Sequence, residues 1–322
     1  MDFSTFGLSR RPFRSTPDTD AYFAATGHES AIAELRDAYE HGDDGAILTG
    51  DAGMGKTLLS HRFLDWLPDE TKRMLLPSAK YAKPVDLHQA ILFDLGQPWQ
   101  GRTEQEMRLA VTDHFLGELA GDRRTAVVID EAQHLSADAI EELRLIANVA
   151  KPAGRAAFFL LAGLPTLRDR FETPWLAAAA QRFRARAHLE PFSESDSIAY
   201  LWHQLESCGA RDPERMLTEE AAGMIADLSR GIPRLINHLA ATALSLTATS
   251  DGRTIDVEAV IEAGDRLGLH PAREDESEHL SHSAFSESSE ESLPGTLTIL
   301  PVTREPISVR SPKLKAPKRR SA

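Results

Sequence analysis

The stretch GDAGMGKTLL, residues 50–59, limits what this chain can fold into more than any other. Gly50, Gly55, Lys56 and Thr57 stand at the spacing G-x-x-x-x-G-K-[ST], and Gly53 adds a further glycine inside it. Glycines let a backbone wrap closely around an anion, so that successive N–H groups point inward. A helix starting near Lys56 aims its positive dipole end at the same place. On this reading Gly50, Asp51, Ala52, Gly53, Met54, Gly55, Lys56, Thr57 and Leu58 form a phosphate cradle. Lys56 reaches the β and γ phosphates, and the Thr57 hydroxyl takes a place on Mg²⁺. A glycine-rich turn that binds nothing would satisfy the spacing alone, so the flanks decide. The apolar run 46–49 reads as a buried strand before the motif. Residues 57–67, with Leu58, Leu59, Phe63, Leu64 and Leu67, read as a helix after it.

A second motif supplies what such a cradle needs. In AVVIDEAQHL, residues 126–135, four apolar residues bury a strand whose end presents Asp130 and Glu131. Asp130 can hold the metal shell, and Glu131 can act as a general base on an attacking water. A strand that merely ends in two acids is the plain alternative; its place downstream of the cradle argues for the functional pairing. The acid pair also points to hydrolysis, because binding alone needs no base.

Strands and helices alternate around these motifs. Strands are expected at 73–77, 125–130, 156–163 and 184–191, and helices at 29–40, 86–96, 103–120 and 136–150. Thr103 and Glu106 form a capping box. The segment PWLAAAAQRF, residues 174–183, reads as a helix. Such alternation implies a parallel sheet with helices on both faces. From 193 to 269 strand signals stop and four helical segments follow, at 193–208, 218–228, 232–248 and 256–267, which predicts an all-helical second domain. The expected division is a lead-in at 1–28 packed on the core through its aromatic residues, an α/β domain at 29–191, a helical lid at 192–270 and a disordered tail at 271–322.

Composition sets the outer limits. With 322 residues and 42% hydrophobic content the chain can build about two domains with sizeable cores. Its one cysteine, Cys208, leaves no internal disulfide and suits a reducing compartment; the start lacks a signal-peptide pattern. No apolar run approaches the ~18 residues of a membrane span, so a soluble, cytoplasmic protein is expected, with peripheral contact at the inner membrane. From Pro271 onward eight basic and eight acidic side chains balance, so the net charge of −13 lies on the first 270 residues. That acidic surface argues against wholesale nucleic-acid binding. The tail ends in a basic cluster, Arg310, Lys313, Lys315, Lys318, Arg319 and Arg320, suited to an anionic membrane or to nucleic acid. His279 with His282, and His28 with His41, lack the further ligands a zinc site needs. Cys208 has His203 off its helix face and gains no nucleophilic role.

The segments FGLSRRPF, TPDTDAYF, GDAGMGKT, VVIDEAQHL, EELRLIANV, LLAGLPTLRDRF and SRGIPRLINHLA occur in an order that resembles the ExeA-like family, AAA+ ATPases related to general secretion pathway protein A. The chain is also similar to transposition ATPases of the TniB type. The resemblance covers about residues 3 to 250. It implies a P-loop NTPase sheet of the ASCE type with a helical lid, ATP and Mg²⁺ held between them, and multimer formation.

Carried over residue by residue, Arg234 in GIPR matches the lid arginine that meets the γ-phosphate, although an arginine after Pro233 could simply cap a helix. Arg182 aligns with the family's candidate arginine finger, with Arg184 and Arg186 as competitors, and His28 matches a position near the adenine pocket. One departure stands out: the family usually carries Gln where this chain has Leu164, which loses a sensor contact and lowers the expected turnover. The family's membrane span and peptidoglycan-binding domain are not carried over. The expected function is ATP hydrolysis coupled to assembly with itself and a protein partner in secretion or envelope machinery. The alternative is a slowly hydrolysing, nucleotide-gated binding module of the transposition type.

Overall fold

The computed structural model describes residues 6–270, apart from 78–80, 82, 122, 150–155 and 251. The predicted tail, with its basic cluster and the His279–His282 pair, lies outside the described residues.

Five strands form one parallel sheet: β1 (Gly45–Gly50), β2 (Lys72–Leu76), β3 (Thr125–Ile129), β4 (Ala157–Gly163) and β5 (Phe183–Leu189). Their spatial order is β2-β3-β4-β1-β5. The apolar runs that predict β1, β3 and β4 are buried along their whole length, as strands covered on both faces must be. Alternate side chains feed two cores. Phe158, Leu160 and Ala162 join Ala46, Leu48 and Val128 on one face, whereas Phe159 and Leu161 join Ile47, Val127 and Ile129 on the other. Edge strand β5 keeps Phe183, Ala187 and Leu189 inward and leaves His188 and Arg184 in solvent, where the Arg184 charge protects the edge. It stops before Pro191, not at it.

Helices α1 (Thr26–Glu40) and α2 (Lys56–Trp66) supply the first face. Helices α3 (Pro84–Asp94), α4 (Glu104–Ala120), α5 (Ala137–Val149) and α6 (Pro165–Phe171) cover the second, with the single turn α7 (Ala177–Ala180). The capping box is present: the Thr103 hydroxyl accepts from the Glu106 N–H at 3.3 Å, and the Glu106 carboxylate accepts from the Thr103 N–H at 2.7 Å. The segment 174–183 is not one helix. Pro174–Leu176 makes a 3-10 turn and α7 one further turn, because Phe183 must already pair with Gly45 of β1.

The remaining helices are α8 (Glu194–Ser207), α9 (Pro213–Met216), α10 (Glu219–Ser229), α11 (Pro233–Thr249) and α12 (Val257–Leu267). Ser193, Thr218 and Asp256 cap α8, α10 and α12 with their side chains. These helices close a third core around Leu201, Leu205, Ile225, Ile236, Leu239 and Val260. Leu8 and Phe13 of the lead-in are buried in that same helical core. The Ser9 N–H donates to the Cys208 carbonyl at 2.8 Å, and the Gln204 side chain donates to the Ala21 carbonyl at 2.9 Å. The lead-in is thus fastened chiefly to the helical layer. No helix among the described residues is long and apolar enough to cross a membrane.

Candidate functional site

The sheet order places the end of β4 between the ends of β1 and β3. The loops leaving these three strands therefore meet at one edge, where parallel sheets place their ligand sites.

The loop leaving β1 turns through Gly53 and Gly55 at φ of 89° and 90°, a region that L-side chains rarely adopt. A Cβ on Gly53 would sit 2.7 Å from the Arg234 Cβ, and one on Gly55 would lie 3.1 Å from His28 Nε2. The backbone is thus wrapped tightly, with α2 starting at Lys56. Lys56 Nζ donates to the carbonyls of Gly50 at 2.7 Å and Asp51 at 2.8 Å. Burial pushes the Lys56 ammonium below its ordinary value, against the attraction of Glu131, Asp130 and Asp51. The Met54 side chain is fully buried in the sheet core, so it contributes only its backbone to the loop.

From β3 comes the acid pair. The Thr57 hydroxyl donates to Asp130 Oδ2 at 2.6 Å, and the Glu131 N–H donates to Asp130 Oδ1 at 2.9 Å. Glu131 has left-handed backbone geometry, φ 52°, uncommon for a residue with a side chain. The next turn brings Gln133 Nε2 to Glu131 Oε2 at 2.5 Å. After β4, Leu164 is the N-cap of α6 and borders the cavity, and its N–H donates to Gln133 Oε1 at 3.1 Å.

These groups border a cavity of about 380 Å³. Ala52, Gly53, Gly55, Lys56, Thr57 and Leu58 line its floor, with Glu131 and Leu164 beside them and Arg234 from α11 above. The Arg234 N–H donates to the Gly53 carbonyl at 3.3 Å, which fastens the helical layer to the loop. His28 is buried under the loop, with Nε2 2.9 Å from the Met54 carbonyl. That carbonyl can only accept, so Nε2 carries the proton. Burial lowers the His28 pKa, with the Met54 bond opposing.

An aromatic wall, which no motif in the sequence marks, also borders the cavity. Phe23, Phe192 and Tyr200 pack edge-on or tilted with centroids 5.4–6.0 Å apart, and His28 joins Phe192 at 5.1 Å. Tyr200 donates to Asn237 Oδ1 at 2.9 Å, and burial pushes its pKa up to about 12. The aromatic residues of the lead-in were the only sequence signal for this wall. Cys208 is buried and also borders the cavity.

Arg182, Arg184 and Arg186 are not part of the cavity. Arg182 Nη1 lies 3.5 Å from Asp44 Oδ2, Arg184 Nη2 lies 3.0 Å from Asp43 Oδ1, and the Arg186 N–H donates to Glu34 Oε1 at 2.8 Å. Phe183 pairs with Gly45 at the start of β1, whereas the loop leaves the far end of that strand at Gly50. At about 3.3 Å per residue the two ends are roughly 17 Å apart. Arg182 is placed away from the phosphate loop of its own chain.

No group of three His, Cys, Asp or Glu among the described residues could hold a metal ion. Thr57 and Asp130 nevertheless suit Mg²⁺, which takes one or two protein oxygens and completes its shell from water and phosphate.

Residues 40–171 match the model of a family described as an AAA domain. General secretion pathway protein A of Aeromonas hydrophila is 34% identical over 240 residues, 74% of this chain and 43% of that protein. The chain therefore spans less than half the length of this relative. Among solved structures, Cdc6p from Pyrobaculum aerophilum is similar with TM-score 0.63 and 16% identity, over 83% of this chain and 71% of that one. The ADPNP-ADP complexes of Aeropyrum pernix ORC2 give 0.58 and 15%, over 74% and 66%. The RuvB Holliday junction branch migration motor of Thermotoga maritima gives 0.54 and 19%, over 79% and 73%. At these identities the structural likeness concerns the fold.

Proposed function

The chain belongs to the AAA+ ATPases, in the family related to general secretion pathway protein A, and from that premise we propose that it binds ATP with Mg²⁺ and hydrolyses it. The observation that carries this reading is the meeting of Gly53, Gly55, Lys56, Thr57, Glu131 and Arg234 at one cavity, with Thr57 bonded to Asp130.

Each residue then has a task that its geometry suits. The N–H groups of the loop and of the first turn of α2 bind phosphate oxygens. Lys56 exchanges its carbonyl partners for the β and γ phosphates. Thr57 and Asp130 hold the metal, which when bound neutralises charge on the phosphates. Glu131 orients a water and accepts its proton. Arg234, on the helical layer, meets the γ-phosphate with its side chain, so hydrolysis removes that charge contact while the backbone bond to Gly53 stays. His28 shapes the loop through Met54, and the aromatic wall stacks the base. The work is positioning and charge neutralisation.

Nucleotide state would be coupled to assembly, with further copies of the chain and with a protein partner. The relation to general secretion pathway protein A supports secretion or envelope machinery as the setting.

Steady-state phosphate release by the purified chain tests the enzymatic reading. Lys56→Ala and Glu131→Gln should each remove most turnover, and Glu131→Gln should still bind ATP. Wild-type rates in both variants would overturn it. A pull-down with ATP-trapped Glu131→Gln would identify the partner.

A further inference from the structure

We infer that Gln133 is a positioning residue for Glu131, and that it supplies the link to the β4–α6 turn that a leucine at 164 cannot. The inference rests on the reading of Glu131 as the base.

Three contacts fix Gln133. Its backbone carbonyl accepts from Arg170 Nη1 at 2.8 Å. Its Oε1 accepts from the Leu164 N–H at 3.1 Å, and its Nε2 donates to Glu131 Oε2 at 2.5 Å. The orientation of the amide follows from its partners. The Leu164 N–H can only donate, so Oε1 must face it, and Nε2 is left for the carboxylate. The space is also shaped for it: a Cβ on Gly163 would fall 2.7 Å from Gln133 Oε1 and 3.2 Å from its backbone nitrogen.

Glu131 needs such a hold. Its own backbone is left-handed, and its N–H is committed to Asp130. A bond to Oε2 alone fixes the direction of the carboxylate and leaves Oε1 to accept from water. A charge-assisted bond of this kind is among the stronger ones a side chain can make. The contact between the acid turn and the end of β4 is thus made by a side chain from the 3-10 turn after β3 to the backbone of 164. It does not depend on the side chain at 164, so Leu164 need not sever it.

The test uses the full chain with Mg-ATP and two variants. Gln133→Leu removes both side-chain bonds at similar size. Gln133→Glu keeps an acceptor for the Leu164 N–H but sets a carboxylate against Glu131. Both should lower kcat by about 10- to 100-fold, a part of what a general base contributes, with KM and the affinity for a non-hydrolysable ATP analogue changed less than about twofold. In the Glu131→Gln background, followed by single-turnover measurement, neither should slow the residual rate further. Unchanged kcat in Gln133 variants, while Glu131→Gln abolishes turnover, would leave Glu131 as the base and overturn the role of Gln133. A parallel loss of nucleotide affinity, or an equal further loss in the Glu131→Gln background, would overturn it as well. Wild-type turnover in Glu131→Gln would remove both readings.

Discussion

The Thr57 hydroxyl hydrogen-bonds Asp130 at 2.6 Å, although the two residues are 73 positions apart. This bond ties the first turn of α2 to the end of β3 and holds together the two oxygens proposed to bind Mg²⁺. Thr57→Val keeps the shape and removes the oxygen. It should cost about 1 kcal/mol of stability through the lost bond and raise the Mg²⁺ concentration for half-maximal turnover about tenfold. Asp130→Asn should shift that midpoint further. A Mg²⁺ titration of the ATPase rate reads both, and unchanged midpoints would take Thr57 and Asp130 out of the metal shell.

Gly53 and Gly27 give opposite outcomes for the same substitution. Gly53 combines φ 89° with an approach of 2.7 Å to Arg234 Cβ, whereas a Cβ on Gly27, in the first turn of α1, meets nothing within 4 Å. Gly53→Ala should lower stability by about 1–3 kcal/mol through backbone strain and weaken nucleotide binding, because the helical layer is pushed off the loop. Gly27→Ala should be neutral or stabilise by up to about 1 kcal/mol. Urea unfolding of the two variants decides; equal effects would mean that the loop relaxes around the methyl group.

Burial of His28 predicts that the fold loses stability in acid. In the unfolded chain an imidazole titrates near 6.5, and burial under the loop lowers His28 below that in the folded protein. Between the two values the unfolded state binds more protons, so stability is complete above about pH 6.5 and falls as pH drops through that range, levelling below the folded pKa. His28→Gln can still donate to the Met54 carbonyl but cannot titrate. It should be less stable than the parent at pH 7.5 by about 1–2 kcal/mol through altered packing, yet lose less on going to pH 5. Parallel losses in the two proteins would assign the acid sensitivity to other groups.

Much of this site is legible in the sequence because it is local. The cradle occupies nine consecutive residues, the acid pair ends one apolar strand, and the flanking runs betray their burial by composition. Strand β4 is equally plain, with seven consecutive buried residues. What escapes is what only the strand order brings together. Gln133 meets Leu164 because β3 and β4 are neighbours, and no periodicity states that order. His28 sits under Gly55 through the packing of α1 and α2, which adds a shape requirement to a residue that the sequence offers only through the family resemblance, as one near the adenine pocket. The four alanines at 177–180 favour helix intrinsically, but a segment this short cannot repay nucleation and yields to the strand pairing of Phe183. The lead-in shows aromatic residues in the sequence but not which core receives them; Leu8 and Phe13 went to the helical one.

Arg182 sits beside Asp44 at the start of β1, roughly 17 Å along the strand from the loop at Gly50. If it acts on a γ-phosphate, it must therefore serve the nucleotide of a neighbouring copy. An arginine supplied in this way is worth about 10³-fold or more in turnover. Arg182→Ala should lose most of the rate while binding ATP as the parent does, and the parent's specific activity should rise with protein concentration. Arg182→Lys keeps a cation beside Asp44 but loses the planar fork, so it should preserve thermal stability without restoring the rate. Mixing makes the test sharper. Arg182→Ala lacks the donated arginine and Lys56→Ala lacks a working cradle, so each alone is inactive. In a mixed assembly a Lys56→Ala copy lends its arginine to the intact cradle of an Arg182→Ala copy, and activity returns. Two inactive variants that stay inactive when mixed, or a parent that hydrolyses at full rate as a monomer in light scattering, would remove Arg182 from the reaction and leave it as the partner of Asp44.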